Sequence, residues 1–197
     1  MTGDGRPDLG GATEAVAALV RCTSDDDLGR PTPCPGTDVA GLLDHLGGLA
    51  LAFTTAARHE PGPDGPPVVD GSRLDPEFRD TVPAALAELA VAWRDPQAWT
   101  GMSEAGGVEM PGEVAGLVAL DEVVVHGWDL AVATGQPYDP PVDAVEAAMG
   151  FVAPTAAERP EGTPGLFGPV VAVPEDAPAL DRLLGLTGRD PAWRPPA

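Results

Sequence analysis

The sequence contains no lysine, no asparagine and no isoleucine, and all eleven basic residues are arginines. These three amino acids use AT-rich codons, so their absence indicates a high-GC bacterial genome. The lack of lysine excludes a Schiff-base lysine, a pyridoxal-phosphate enzyme and a Walker A phosphate loop. No G-x-G-x-x-G motif occurs either, which argues against a dinucleotide-binding site.

Positive charge is scarce, because 11 arginines face 31 acidic residues and the formal net charge is -20. Nucleic acids and anionic membrane surfaces are both bound through lysine and arginine, so the charge argues against either partner. The sequence also shows no signal-peptide segment and no run of about eighteen apolar residues. We therefore expect a cytoplasmic protein whose partner is a small molecule.

Cysteine is limited to Cys22 and Cys34, which form neither a C-x-x-C motif nor a zinc-finger spacing. Two unpatterned cysteines suit a reducing compartment better than a disulfide framework. Cys34 falls in a loop before a predicted helix, and we interpret it as structural.

Apolar residues recur with helical periodicity in four substantial segments, 11–22, 39–60, 76–95 and 111–135. Asp38 is the predicted N-cap of the second helix, with Thr37 as the other candidate. Pro111 suits the first position of the fourth helix, and Gly135 suits its end. Pro83 predicts that the third segment is kinked or divided in two.

These segments predict an all-α protein, an up-and-down four-helix bundle with long Pro/Gly-rich loops. A shorter helix is expected at 141–152 and a short C-terminal helical extension at 177–186. No segment shows convincing β alternation, although a small hairpin within 96–110 is possible. We expect a single domain over residues 1–197, with a loose lead-in at 1–9 and an extended tail at 187–197.

The fourth helix, "ALDEVVVHGWDLAVATGQ" (119–136), carries Glu122 and His126 among apolar residues. Their four-residue spacing places both on one helix face. His45 lies on or beside the apolar stripe of the second helix, which a bundle would bring close. Two imidazoles and one carboxylate suit Zn²⁺, Ni²⁺ or Fe²⁺ and leave a coordination position open. Alternatively, each histidine is a hydrogen-bonded core residue and Glu122 pairs with an arginine.

Four further residues are candidates for the surroundings of this site. Asp44 and Asp129 are candidate acceptors for imidazole N–H groups, although either could instead face solvent. Trp128 and Phe53 are candidate pocket residues, although both also fit a core position.

Three stretches then resemble a known family: "PTPCPGTDVAGLLDHLGG" (31–48), "MPGEVAGLVALDEVVVHGWDLAVATGQ" (110–136) and "FGPVVAVPEDAPALDRLLGLTGRDP" (167–191). They are similar to actinobacterial DinB-like proteins, and more closely to the branch related to mycothiol-dependent maleylpyruvate isomerase. The resemblance implies a DinB-like four-helix bundle, the N-terminal part of that isomerase. It also implies a divalent metal, zinc before nickel or iron, held by His45, Glu122 and His126.

The resemblance further implies a metal-dependent thiol transferase or isomerase that acts on a small electrophile. Mycothiol would be the co-substrate, and its metal-bound thiolate would be the nucleophile. Relatives of this type often form homodimers, so a homodimer is possible here.

The sequence also departs from the family. Many relatives carry a tryptophan after the "PCP" motif, where this chain has Gly36 and Thr37. The isomerase has an additional C-terminal domain, for which this chain has no room, so another electrophile than maleylpyruvate is expected. Two alternatives stay open: a thiol-independent hydrolase, lyase or cyclase of specialised metabolism, and a non-catalytic bundle that binds a metal or a small ligand.

Overall fold

The computed structural model describes residues 5–62 and 69–196, and most of them are α-helical. The helices are α1 (Gly10–Cys22), α2 (Val39–Ala57), α3 (Phe78–Ala92), α4 (Gly112–Thr134), α5 (Val142–Glu158) and α6 (Ala179–Leu186). Strands β1 (Met102–Ala105) and β2 (Val108–Pro111) form an antiparallel hairpin before α4. The prediction of a mainly helical protein is confirmed. The start of the predicted lead-in, residues 63–68 of the Pro/Gly loop and the last residue of the tail lie outside the described residues.

The helices surround one hydrophobic core, and α4 is central to it. α1 contacts α3 and α4, and α2 contacts the same two helices. The neighbours therefore follow the order α1, α3, α2, α4, which differs from the chain order of the simplest up-and-down bundle. α5 packs against α4, and α6 packs against α5. Since α4 is contacted from several sides, its polar residues lie in apolar surroundings.

α2 is the one helix in the described ranges whose length and composition would allow it to cross a membrane. However, 61% of that segment is buried inside the protein, as expected of a core helix. Leu42, Leu43 and Leu46 are almost completely buried, and they fix the rotation of α2 around its axis.

Two helix ends follow the predicted signals. The Asp38 carboxylate accepts a hydrogen bond of 2.8 Å from the backbone N–H of Gly41 and so caps α2. Gly135 adopts the left-handed conformation at φ 72° and ends α4.

Proline interrupts the helices less than the sequence predicts. α3 runs unbroken through Pro83, and α5 continues through Pro154 to Glu158, beyond the predicted end at 152. A proline removes one backbone donor from each helix. Val152 and Ala156 are buried on either side of Pro154, and this apolar burial offsets the lost hydrogen bond.

The chain ends are more tightly held than predicted. Leu9, in the expected lead-in, is 1% exposed, and Asp8 accepts a hydrogen bond from the backbone N–H of Gly10. The segment after α6 has no further helix or strand among the described residues, but it returns to the core and places Arg189 against α4.

Candidate metal centre

The three predicted ligands come together where α2 and α4 meet. Glu122 Oε2 lies 3.0 Å from His126 Nε2 and 3.4 Å from His45 Nε2. The two imidazole rings are nearly perpendicular, at 88°, with their centroids 4.8 Å apart. Both rings therefore present Nε2 to the same carboxylate oxygen.

The separations between these atoms fit a single cation. Zinc lies about 2.0–2.1 Å from nitrogen and oxygen ligands, so the donors of a tetrahedral site lie about 3.3 Å apart. The observed 3.0 and 3.4 Å bracket that value. Two imidazoles and a carboxylate are also a donor set that zinc, nickel and iron accept. The residues present therefore fit the metal that the resemblance implies.

The site is shielded but not closed. The side chains of His45, Glu122 and His126 are 18%, 21% and 12% exposed, respectively. The ligands can therefore be reached from solvent, although most of each side chain is buried.

Asp129 orients His126 from the opposite edge of the ring. Its fully buried carboxylate oxygen Oδ2 lies 2.9 Å from His126 Nδ1. Burial opposes the charge of Asp129, but the His126 hydrogen bond and the Arg189 charge lower its pKa, so the group stays anionic. A carboxylate on Nδ1 keeps the proton there and leaves the Nε2 lone pair available as a ligand.

In the absence of a metal, His126 favours its protonated form, which pairs with the Glu122 carboxylate 3.0 Å away. Burial opposes charge on both groups. Nevertheless, hydrogen bonds with Asp129, Cys34 and Glu122 raise the pKa of His126 well above its usual value. Hydrogen bonds from His126 and His45 lower the pKa of Glu122. A divalent cation would replace the proton on Nε2, so metal binding and protonation compete.

Two residues that the sequence did not assign to the site also contact Asp129. Cys34 Sγ and one Arg189 nitrogen each lie 3.2 Å from its Oδ2. Cys34 Sγ also lies 3.8 Å from His126 Nδ1. Cys34 was interpreted as structural, and Arg189 lies far along the chain. The only available signal was that both fall inside stretches that resemble the family.

The other candidates lie elsewhere. The Asp44 carboxylate accepts a hydrogen bond from the backbone N–H of Asp70 and has no hydrogen bond to an imidazole among the described residues. Phe53 is a core residue whose carbonyl accepts a hydrogen bond from the Trp93 indole. Trp128 is 9% exposed and borders a cleft of about 500 Å³ that Tyr138 also lines.

A further buried carboxyl group, that of Asp121, adjoins the site in sequence. Asp121 is 3% exposed, and its Oδ1 has no hydrogen-bond partner among the described residues. Burial, followed by the charge of Glu122, raises its pKa to about 8. α4 therefore carries a carboxyl group that stays protonated at neutral pH.

Comparison with known proteins identifies the family. Residues 9–131 match the model of the mycothiol maleylpyruvate isomerase N-terminal domain. This chain belongs to that family. Uncharacterized proteins from two strains of Mycobacterium tuberculosis, including Rv0738, are 35% identical over 185 residues, an alignment that covers 90% of this chain and 93% of theirs. The resemblance predicted from the sequence is thus confirmed.

Solved structures show the same family fold. The crystal structure of mycothiol-dependent maleylpyruvate isomerase has a TM-score of 0.52 and that of a histidine-to-alanine mutant 0.54, each at 21% identity. The match covers 72% of this chain and 63% of the isomerase chain. This chain therefore shares the fold over its larger part and spans less than two thirds of the isomerase.

Proposed function

We propose that the protein is a metal-dependent thiol transferase or isomerase, which uses mycothiol and a divalent cation to convert a small electrophilic metabolite. The cation, zinc before nickel or iron, would be held by His45, Glu122 and His126. The main observation in support is that Nε2 of His45 and Nε2 of His126 both lie within 3.4 Å of the same Glu122 oxygen. Membership of the isomerase family supports an enzyme and the choice of thiol.

The donor count supports catalysis rather than a purely structural cation. Structural zinc sites have four protein ligands, whereas catalytic sites have three and leave a position for an exogenous ligand. The set found here has three members, His45, Glu122 and His126. When bound there, a divalent cation would lower the pKa of a coordinated thiol and so supply a thiolate near neutral pH.

The residues of the chain would have distinct roles. Asp129 holds the proton on His126 Nδ1, which fixes the ring orientation and keeps Nε2 directed at the site. Glu122 supplies the negative charge that balances a cation. The side chains of His45, Glu122 and His126 are at most 21% exposed, which limits water near the reacting thiol.

The test is a turnover assay with the full chain loaded with zinc. Mycothiol is added with maleylpyruvate and, separately, with a panel of haloarenes, epoxides and enones. Liquid chromatography then separates an isomerised product from its substrate of equal mass, and mass spectrometry detects the thioether. We expect product only when both the thiol and the metal are present, and none with Glu122→Gln.

Two outcomes would contradict the proposal. Turnover that persists without any thiol would favour the thiol-independent hydrolase, lyase or cyclase. No turnover with any electrophile, by a chain that has bound its metal, would favour a non-catalytic binding protein.

A further inference from the structure

Beyond the proposed function, we infer that Cys34, His126 and Asp129 form a second cation site, selective for thiophilic divalent metals, that competes with the first for His126. This site, called here the thiolate site, uses the opposite ring nitrogen, Nδ1. It lies between α4 and the loop that precedes α2. It does not require that the first site be catalytic.

The donor geometry is the first argument. Asp129 Oδ2 lies 2.9 Å from His126 Nδ1 and 3.2 Å from Cys34 Sγ, while Sγ and Nδ1 are 3.8 Å apart. Zinc bonds of about 2.3 Å to sulfur and about 2.0–2.1 Å to nitrogen or oxygen give donor separations of roughly 3.3–3.6 Å. Shifts of a few tenths of an ångström would therefore complete the site.

An unpartnered buried oxygen is the second argument. Asp129 is 0% exposed, and its other carboxylate oxygen, Oδ1, has no hydrogen-bond partner among the described residues. A buried acceptor without a donor is costly, and a cation beside the carboxylate would remove that cost. Donors from Cys34, Arg189 and His126 all converge on Oδ2 instead.

The chemistry of the donors distinguishes the two sites. The first offers two nitrogens and an oxygen, whereas the thiolate site offers sulfur, nitrogen and oxygen. Sulfur ligands favour zinc, cadmium and similar soft metals over magnesium or calcium. On binding, Cys34 Sγ and His126 Nδ1 would each lose a proton to solvent, and the charges of the thiolate and of Asp129 would balance the cation.

Competition follows from the tautomers of one imidazole. When a cation binds Nε2, the ring keeps its proton on Nδ1 and donates it in a hydrogen bond to Asp129. When a cation binds Nδ1, the ring keeps its proton on Nε2 and donates it to Glu122 Oε2, 3.0 Å away. A neutral ring can serve only one site at a time. A metal captured at the thiolate site would therefore displace the first metal.

Arg189 acts against this second site. Its guanidinium lies 3.2 Å from Asp129 Oδ2 and 3.8 Å from Cys34 Sγ, so a positive charge already occupies this position. An incoming cation must displace it or suffer its repulsion. Removing Arg189 should therefore strengthen the thiolate site, while removing Cys34 should abolish it.

The test is a titration of the full, metal-free chain with Co²⁺, because cobalt bound to a thiolate gives a near-ultraviolet charge-transfer band. In the wild type we expect little or no band at any cobalt concentration, because the first site holds His126 and the two sites exclude each other. In His45→Ala the first site is disabled, so the band should appear with the first equivalent. Added to His45→Ala, Cys34→Ser should abolish the band. Cys22→Ser should keep it, because Cys22 is exposed at the end of α1.

Arg189→Gln gives the quantitative arm. In the His45→Ala background, the cobalt concentration that gives half of the band should fall by about tenfold or more, because one adjacent positive charge is removed. The inference is overturned if no band forms in His45→Ala, or if the band survives Cys34→Ser in that same background. Either result leaves the first site untouched, since its cobalt spectrum needs no thiolate.

Discussion

The two histidines of the candidate centre are held in different ways. His126, on α4, donates from Nδ1 to the buried Asp129, which is itself bound by Arg189. His45, on α2, has a buried Nδ1 without a hydrogen-bond partner in the described part of the chain. α4 thus supplies a preorganised half of the centre, and α2 supplies one ligand that is oriented mainly by packing.

The largest expected effect contrasts the two histidines directly. His126→Ala should weaken metal binding at least about tenfold more than His45→Ala, because only His126 is oriented by a hydrogen-bonded carboxylate. Competition with a chromophoric chelator measures both dissociation constants, and circular dichroism checks that both variants fold. Equal losses of metal affinity in the two variants would show that His126 and His45 contribute equally to binding.

The next effect concerns the carboxylate behind His126. Asp129→Asn should weaken metal binding by about 10–100-fold, because the imidazole loses the charged acceptor that fixes its tautomer. Asp44→Asn is the matched control, since Asp44 bonds to the Asp70 backbone, and it should change the affinity less than about twofold. A similar loss of metal affinity in both variants would contradict the proposed role of Asp129 in orienting His126.

Asp121, on α4, should make the stability of the folded chain depend on pH. Its folded-state pKa of about 8 lies above the usual value of 3.8, so between these pH values the folded chain keeps a proton that the unfolded chain releases. The contribution of Asp121 to stability is therefore lost as the pH rises from about 4 to about 8. The metal-free Asp121→Asn variant lacks this loss. Its free energy of unfolding, relative to that of the wild type, should therefore rise between pH 5 and pH 8 by about 1–3 kcal/mol.

Urea denaturation at several pH values measures this difference. The comparison with Asp121→Asn isolates Asp121, because the lowered pKa values of Glu122 and Asp129 act in the opposite direction in both proteins. A constant difference between the two proteins over this range would contradict the assignment.

The last prediction concerns the stability of the fold and rests on the close packing beside His126. A Cβ at Gly127 would lie 2.5 Å from the Tyr138 hydroxyl and 2.7 Å from Val16. Gly127→Ala should therefore destabilise the fold by about 1–3 kcal/mol in urea denaturation. The control, Gly150→Ala in α5, meets no atom within 4 Å and should stabilise the protein by up to about 1 kcal/mol.

The sequence predicted the parts of this molecule that depend on local spacing. Helical periodicity located the main helices, and the four-residue spacing placed Glu122 and His126 on one face. Asp44, the neighbour of His45, contacts the Asp70 turn, because adjacent helical residues point about 100° apart.

Contacts between distant segments could not be predicted in this way. Arg189 lies 155 residues beyond Cys34, and no periodicity indicates that the tail folds back onto α4. Which helices are neighbours in the bundle, and the continuation of α5 through Pro154, likewise depend on tertiary packing. The assignment of the metal itself stays a prediction.

The most direct test of the account is elemental analysis of the purified, untagged protein beside His126→Ala. The account predicts about one zinc, nickel or iron per wild-type chain, and its loss from a variant that folds normally. If the wild type binds no metal even after reconstitution, the account is contradicted. His45, Glu122 and His126 would then form only a buried hydrogen-bonded cluster.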